Sequence, residues 1–367
     1  MATKKCVNLF SKHLKNTFDK QTKRCLQTKY SSKDIGFLGV PFAAGQSRGG
    51  VEHGPAALRD AGIVQKLGYM GFNVHDYGDL KFDHIFHDPP DIVKNPRSVG
   101  QGAYQVSEAV KDIISAGHCG LTIGGDHSLS IGTVHGHCQA EENVCLIWVD
   151  AHADINTPLT SATGNVHGMC LSFVVHELQE YIPDIVDFDW IQPCISAKDI
   201  AYIGLRDLDP GERHIIEKLG ISCYTTHEID HFGIEYVLKK SIEAVNPNMD
   251  RPMHLSYDID SLDPAISPST GTPVPGGLTI REGMYIAEEL AQTGLLHHID
   301  LVEVNPLIGT KRDQNLTIFT ASEIIQACFG KRRRGNVDPN YKLPIPEKPR
   351  KILSPSRTMN EKKKVHI

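Results

Sequence analysis

Between residues 34 and 330 of the 367-residue chain, short apolar runs ending in Gly, Asp or Asn alternate with longer segments of helical period. That alternation predicts βα units and a parallel sheet. The runs place strands at 35–40, 73–77, 119–123, 145–149, 200–203, 222–225, 253–257 and 298–304, and crossover helices at 54–67, 100–116, 128–139, 209–219 and 280–292. No break in composition divides this stretch. One α/β domain, residues 34–330, is therefore expected between a lysine-rich arm, residues 1–33, and a basic, proline-containing tail, residues 331–367. No repeat of solenoid or propeller period is visible.

Composition narrows the class. Hydrophobic residues make up 40 % and charged residues 22 %, enough apolar side chain for a sizeable core. The net charge of −6 is spread along the chain, which points to a small-molecule substrate and away from nucleic acid. No apolar stretch is long enough for a membrane span, and no signal-peptide core is visible, so neither is expected. Nine cysteines form no CxxC pair, which disfavours a disulfide framework or a cysteine zinc site and suggests a reducing, cytoplasmic setting. The N-terminal lysines, with Arg24 and the single acid Asp19, faintly resemble a transit peptide, so a mitochondrial location is the alternative. The Lys331-Arg332-Arg333-Arg334 tail reads as a solvated or partner-docking segment rather than a nuclear-localisation signal.

Ligands of parallel α/β sheets sit outside the carboxyl ends of the strands, and four such ends here are unusually polar. One is Asp150-Ala-His152-Ala-Asp154, whose two-residue spacing turns side chains the same way along an extended chain. Asp258-Ile-Asp260 pairs two more carboxylates, and Gly124-Gly125-Asp126-His127 presents a histidine on a close backbone turn. Singly, each fragment is an ordinary loop. Jointly, four carboxylates and two imidazoles at neighbouring strand ends would repel without a cation, and two ions sharing bridging carboxylates leave a catalytic opening. The oxygen-rich donor set favours Mn²⁺ over zinc.

Two divalent ions, four aspartates and a hydroxide leave such a site about one unit negative, which suits a cationic electrophile. Glu303, at the fourth strand end, either braces its loop or accepts paired hydrogen bonds from a planar guanidinium. The following loops offer Asn156 and neighbouring Thr, Ser and Gly residues for an anion, and His167 as a proton shuttle. Asp207, Asp209 and Glu212 are acids suited to an ammonium group, although Asp209-Pro210 is also a helix start. Motifs for a serine nucleophile, a phosphate loop and a dinucleotide turn are absent.

Five motifs, GGDHS at 124–128, DAHAD at 150–154, SYDIDSLDP at 256–264, GTPVPGGL at 271–278 and EVNP at 303–306, resemble those of the ureohydrolases. The stretches DINTPLTSATGNVHGM at 154–169 and IGLRDLDPGE at 203–212 are similar to the arginase branch of that family. The resemblance implies a three-layer αβα sandwich around a parallel eight-stranded sheet, a homotrimer and a centre of two Mn²⁺ ions per subunit. It implies that one ion is held by His127, Asp150, Asp154 and Asp258, and the other by Asp150, His152, Asp258 and Asp260. It further implies that Asn156 and Thr163 meet the carboxylate of L-arginine, Asp209 its amino group and Glu303 its guanidinium. Asp207, Glu212 and Thr272 complete the substrate-binding set, and His167 serves in proton transfer. Thr163 stands where the branch commonly has serine, and Cys170 where it has proline. The implied reaction is hydrolysis of L-arginine to L-ornithine and urea by a manganese-bound hydroxide, with activity rising toward alkaline pH. Agmatine as substrate, or a silent metal-binding relative, are the alternatives. A one-zinc deacetylase of similar fold is disfavoured by His152 and Asp260.

Overall fold

Among the described residues eight strands pair into one wholly parallel sheet: β1 (Asp34–Val40), β2 (Asn73–Asp79), β3 (Cys119–Gly124), β4 (Cys145–Val149), β5 (Ile200–Leu205), β6 (Ser222–Thr225), β7 (Met253–Asp258) and β8 (Leu296–Val302). This computed structural model describes residues 33–83, 85, 88–335 and 342–346, so the expectations for the arm, apart from Lys33, and for most of the tail lie outside the described residues. The chain divides into two units, Met1–Arg333 and Arg334–Ile367, three residues beyond the expected boundary at Gly330.

Helices α1 (Gly54–Asp60), α2 (Ile63–Tyr69), α3 (Pro96–Ser115), α4 (Ser130–Ala140), α5 (Pro210–Leu219), α6 (Thr226–Phe232), α7 (Ile234–Val245), α8 (Ile280–Thr293) and α9 (Lys311–Cys328) cover both faces of the sheet. The two-residue period of the strands explains the layers. On β4, Ile147 and Val149 face a core shared with Leu58, Leu67, Leu238, Leu290 and Ile325, whereas Leu146 and Trp148 face Val99, Val106, Val134 and Ile216 on the other side. The expected αβα sandwich is thus present.

The differences from the sequence reading are local, and the helix expected at 100–116 starts earlier, at Pro96. The helix expected at 54–67 breaks at Gly62, which takes φ 79 and restarts the chain as α2. The last strand stops at Val302, because Glu303 turns into the left-handed region at φ 64. Helices α6, α7 and α9 add to the crossovers expected.

Strand order is β2-β1-β3-β8-β7-β4-β5-β6. The four middle strands, β3, β8, β7 and β4, are the ones whose carboxyl ends carry the polar motifs. After β3 the backbone docks on the end of β1, with Gly125 N–H on Val40 O at 3.0 Å and Asp126 N–H on Phe42 O at 2.9 Å. A β-carbon on Gly125 would lie 1.8 Å from Phe42 O. Gly125→Ala must push this connection outward, and a loss of about 1–3 kcal/mol is expected. Urea unfolding measures it; an unchanged midpoint would mean that the connection moves freely.

Candidate metal centre and substrate site

Each strand end contributes its polar group to one point. His127 follows β3 in a short 3-10 turn capped by Asp126, whose carboxylate accepts from Ser128 N–H and Gly45 N–H. Its Nδ1 lies 3.1 Å from Asp150 Oδ2, 3.1 Å from Asp154 Oδ2 and 3.2 Å from Asp258 Oδ2. None of these approaches is directed well enough to satisfy the nitrogen, which remains a buried atom without a hydrogen-bond partner among the described residues. A nitrogen aimed between three carboxylate oxygens is the donor geometry of a cation site.

A second group shares Asp150. His152 Nδ1 is 3.5 Å from Asp150 Oδ1 and 3.3 Å from Asp260 Oδ2. The ligand atoms of His127, Asp150 and Asp258, and those of Asp150, His152 and Asp260, each lie within 4.8 Å of one another. The structure thus brings together all six residues expected to hold metal.

Backbone donors and one cation steady the carboxylates. Asp150 Oδ1 accepts from His152 N–H at 2.8 Å and Asp258 Oδ1 from Asp260 N–H at 2.7 Å. The half-buried Arg206 guanidinium donates to the carbonyls of Asp260, Ser261 and Val274, clamping the 258–262 turn. Asp154 adopts φ 51, a left-handed conformation costing of order 1 kcal/mol or more, which turns its carboxylate back onto His127.

Above the cluster opens a cavity of about 160 Å³ lined by His152, Asp154, Asn156, His167, Asp207, Asp209, Glu212, Asp258 and Thr272 among others. Asn156 Nδ2 donates to Asp209 Oδ2 at 2.8 Å, and Thr272 Oγ1 to Asp260 Oδ2 at 2.8 Å. Asp209 caps α5 in a reciprocal box with Glu212, so the helix-start and site readings of that segment coexist. Glu212 is turned inward, accepting from Asp209 N–H and Ile155 N–H, and burial raises its carboxyl to about 8. Its place is under the loop that carries Asn156.

Glu303 is buried and accepts from His127 N–H at 2.9 Å and Gln46 Nε2 at 3.0 Å, while His167 Nδ1 lies 3.6 Å away. Burial opposes charge on His167, but Glu303 raises it to about 9, so it carries a proton at neutral pH. Thr163 is exposed, takes Asn165 N–H on its hydroxyl at 3.2 Å and does not line the cavity. Cys170 packs fully buried in the 3-10 segment Val166–Phe173.

The arginase family's sequence model matches residues 33–330. Hepatic arginase of Aquarana catesbeiana is 52 % identical over 307 residues, which span 83 % of this chain and 95 % of its own. Arginase from Bacillus subtilis has a solved structure that matches with a TM-score of 0.73 and 36 % identity, over 82 % of this chain and 99 % of its own. A crystal structure of Entamoeba histolytica arginase in complex with L-ornithine matches with a TM-score of 0.73 and 29 % identity, over 83 % of this chain and 100 % of its own.

The chain belongs to the arginase family. Its enzymes are metal-dependent, and the two His/Asp groups supply donors for two ions. Three contributors to the site escaped the sequence reading. Trp148 stacks on His127 at 4.1 Å and donates to Asp150 Oδ2 at 3.0 Å, and Ser256 Oγ lies 2.9 Å from His127 Nε2. Each stands two residues before an aspartate expected to hold metal, a spacing that could have flagged it. Gln46 has no such signal, since it reaches Glu303 across 257 positions.

Without an ion, protons must separate these carboxylates. Burial, then the Asp150 charge, raises Asp154 to about 6, and burial with Asp260 raises Asp258 well above the usual carboxylate range. His127 and His152 are held protonated against burial by the flanking aspartates. These four groups are raised, so the stability they confer is present at low pH and lost as pH rises, through about 6 for Asp154. A metal ion at these groups would replace the protons. It is expected to raise Tm more at pH 8 than at pH 5, read by thermal unfolding of chelated and reloaded protein; a larger gain at pH 5 would contradict this account.

Proposed function

We propose that the protein hydrolyses L-arginine to L-ornithine and urea at a pair of divalent ions, with Mn²⁺ as the resident metal. The observation that carries this reading is the pairing of Asn156 and Asp209 over the same cavity whose floor is made by His152, Asp154 and Asp258. A carboxylate and an ammonium bound above, and a guanidinium directed below, describe the two ends of one amino acid. Asp207 and Thr272 line the same cavity; Thr163 reaches the substrate carboxylate only if its loop adjusts.

When bound, the two ions make water a strong nucleophile near neutral pH. His127, Asp150, Asp154 and Asp258 would hold one ion, and Asp150, His152, Asp258 and Asp260 the other; oxygen donors in this proportion favour Mn²⁺. Glu303, kept ionised against burial by His167 and by His127 N–H, fixes the guanidinium through charge-assisted hydrogen bonds. Water adds to the guanidinium carbon, the bond to the side-chain nitrogen breaks, and His167 supplies the proton that the departing amine takes up. Arginine cation and water thus become ornithine, its amine protonated, and neutral urea.

We assign a homotrimer from the family resemblance; a monomer mass by light scattering would remove it. A cytoplasmic location fits cysteines that form no CxxC pair, and a mitochondrial one is the alternative suggested by the basic arm.

Urea release from L-arginine and from agmatine, by protein preincubated with Mn²⁺ or with chelator, tests the activity. Metal-dependent urea from arginine alone is expected; turnover of agmatine would mean that the amino-acid clamp is not used. Asp209→Asn keeps a capping residue on α5 but loses the charge. It should raise KM for arginine roughly 10- to 100-fold with little change in Tm. His167→Asn should instead lower kcat by about 10²-fold or more at nearly constant KM. Steady-state kinetics separates the two, and an unchanged kcat would remove His167 from proton transfer.

A further inference from the structure

A second polar cluster lies below the ligands, on the same face of the sheet. On β7, His254 and Ser256 precede Asp258 at two-residue steps. In the strand register His254 stands beside His298, and Ser256 beside Asp300, on β8. All four are buried. Asp300 accepts from His254 Nε2 at 2.9 Å, His298 Nε2 at 3.0 Å, Thr133 Oγ1 at 2.6 Å and Ser256 Oγ at 3.5 Å. From His254 the contacts continue through His137 Nδ1 at 3.2 Å to Glu141, which His297 also meets at 2.8 Å.

His254, His298 and Asp300 also have the donor types of a metal site. Protein donors already engage both oxygens of Asp300, however, with His254, Thr133 and Ser256 on Oδ2 and His298 on Oδ1. The cluster is a hydrogen-bonded anchor. Its polarity follows from the ligand above it. If His127 offers Nδ1 to an ion, its proton sits on Nε2 and Ser256 Oγ must accept it. The serine hydroxyl must then donate elsewhere, and Asp300 Oδ2 is the acceptor it faces.

Resting on the metal reading above, we infer that Asp300 is a positioning residue for the metal centre: through Ser256 its carboxylate holds His127 in the tautomer and orientation that leave Nδ1 facing the aspartates. His254, His298 and Thr133 hold Asp300 in place, and none of them touches the ions. The effect belongs to one ion only, because His152 lies outside this chain of contacts.

Manganese titration of the full-length protein, with free Mn²⁺ read by electron paramagnetic resonance, tests the inference alongside Tm. Asp300→Asn and Ser256→Ala should each weaken one of the two ions roughly 10- to 100-fold, leaving the other unchanged. The double variant should be no worse than the weaker single, since both break one chain. Ser256→Thr, which keeps the hydroxyl, should restore binding. Equal weakening of both ions, additive losses, or wild-type affinity in folded variants would overturn the role. If Asp300→Asn does not fold, the contrast between Ser256→Ala and Ser256→Thr decides. Failure of the wild type to bind Mn²⁺ would instead refute the metal reading itself.

Discussion

The molecule is organised around mutual repulsion among four aspartates. Asp150, Asp154, Asp258 and Asp260 are all at most 5 % exposed, and their oxygens crowd the space between two histidines. Burying such charges is unfavourable unless cations or hydrogen-bond donors compensate them. Imidazoles on either flank, backbone N–H groups beneath and the Arg206 clamp behind supply part of that compensation; metal ions held by the two His/Asp groups would supply the rest.

The fold's contribution is rigidity at this point. Central strands buried on both faces cannot slide to relieve the repulsion, because a one-residue slip would exchange the two apolar cores. The strain is therefore stored locally, in the left-handed backbones of Asp154 and Glu303. Both residues turn a carboxylate toward the centre, and in both the conformation is held by surrounding hydrogen bonds. Asp154 O accepts from Leu171 N–H, and Glu303 N–H donates to Gly125 O.

Floor and rim of the cavity divide the chemistry. The floor is anionic and buried, suited to a delocalised cation and to ions that activate water. The rim is made by loops, where Asn156 and Asp209 brace each other and Glu212 supports them from below. The Glu303 carboxylate is fixed beside this floor by His127 N–H and Gln46.

Much of this was legible in the chain alone. Short apolar runs located the strands, and the two-residue period of an extended chain put Asp150 with His152 and Asp258 with Asp260, because local geometry sets which side chains share a face. The caps, such as Asp209 before Pro210, were readable for the same reason. Only the tertiary structure decided which strands are neighbours. Non-local pairing brings β1, β3, β8, β7 and β4 side by side, and so joins His127 to Asp258, Glu303 to Gln46 and Ser256 to Asp300. No local pattern encodes those contacts, since they arise from burial of both sheet faces rather than from spacing along the chain.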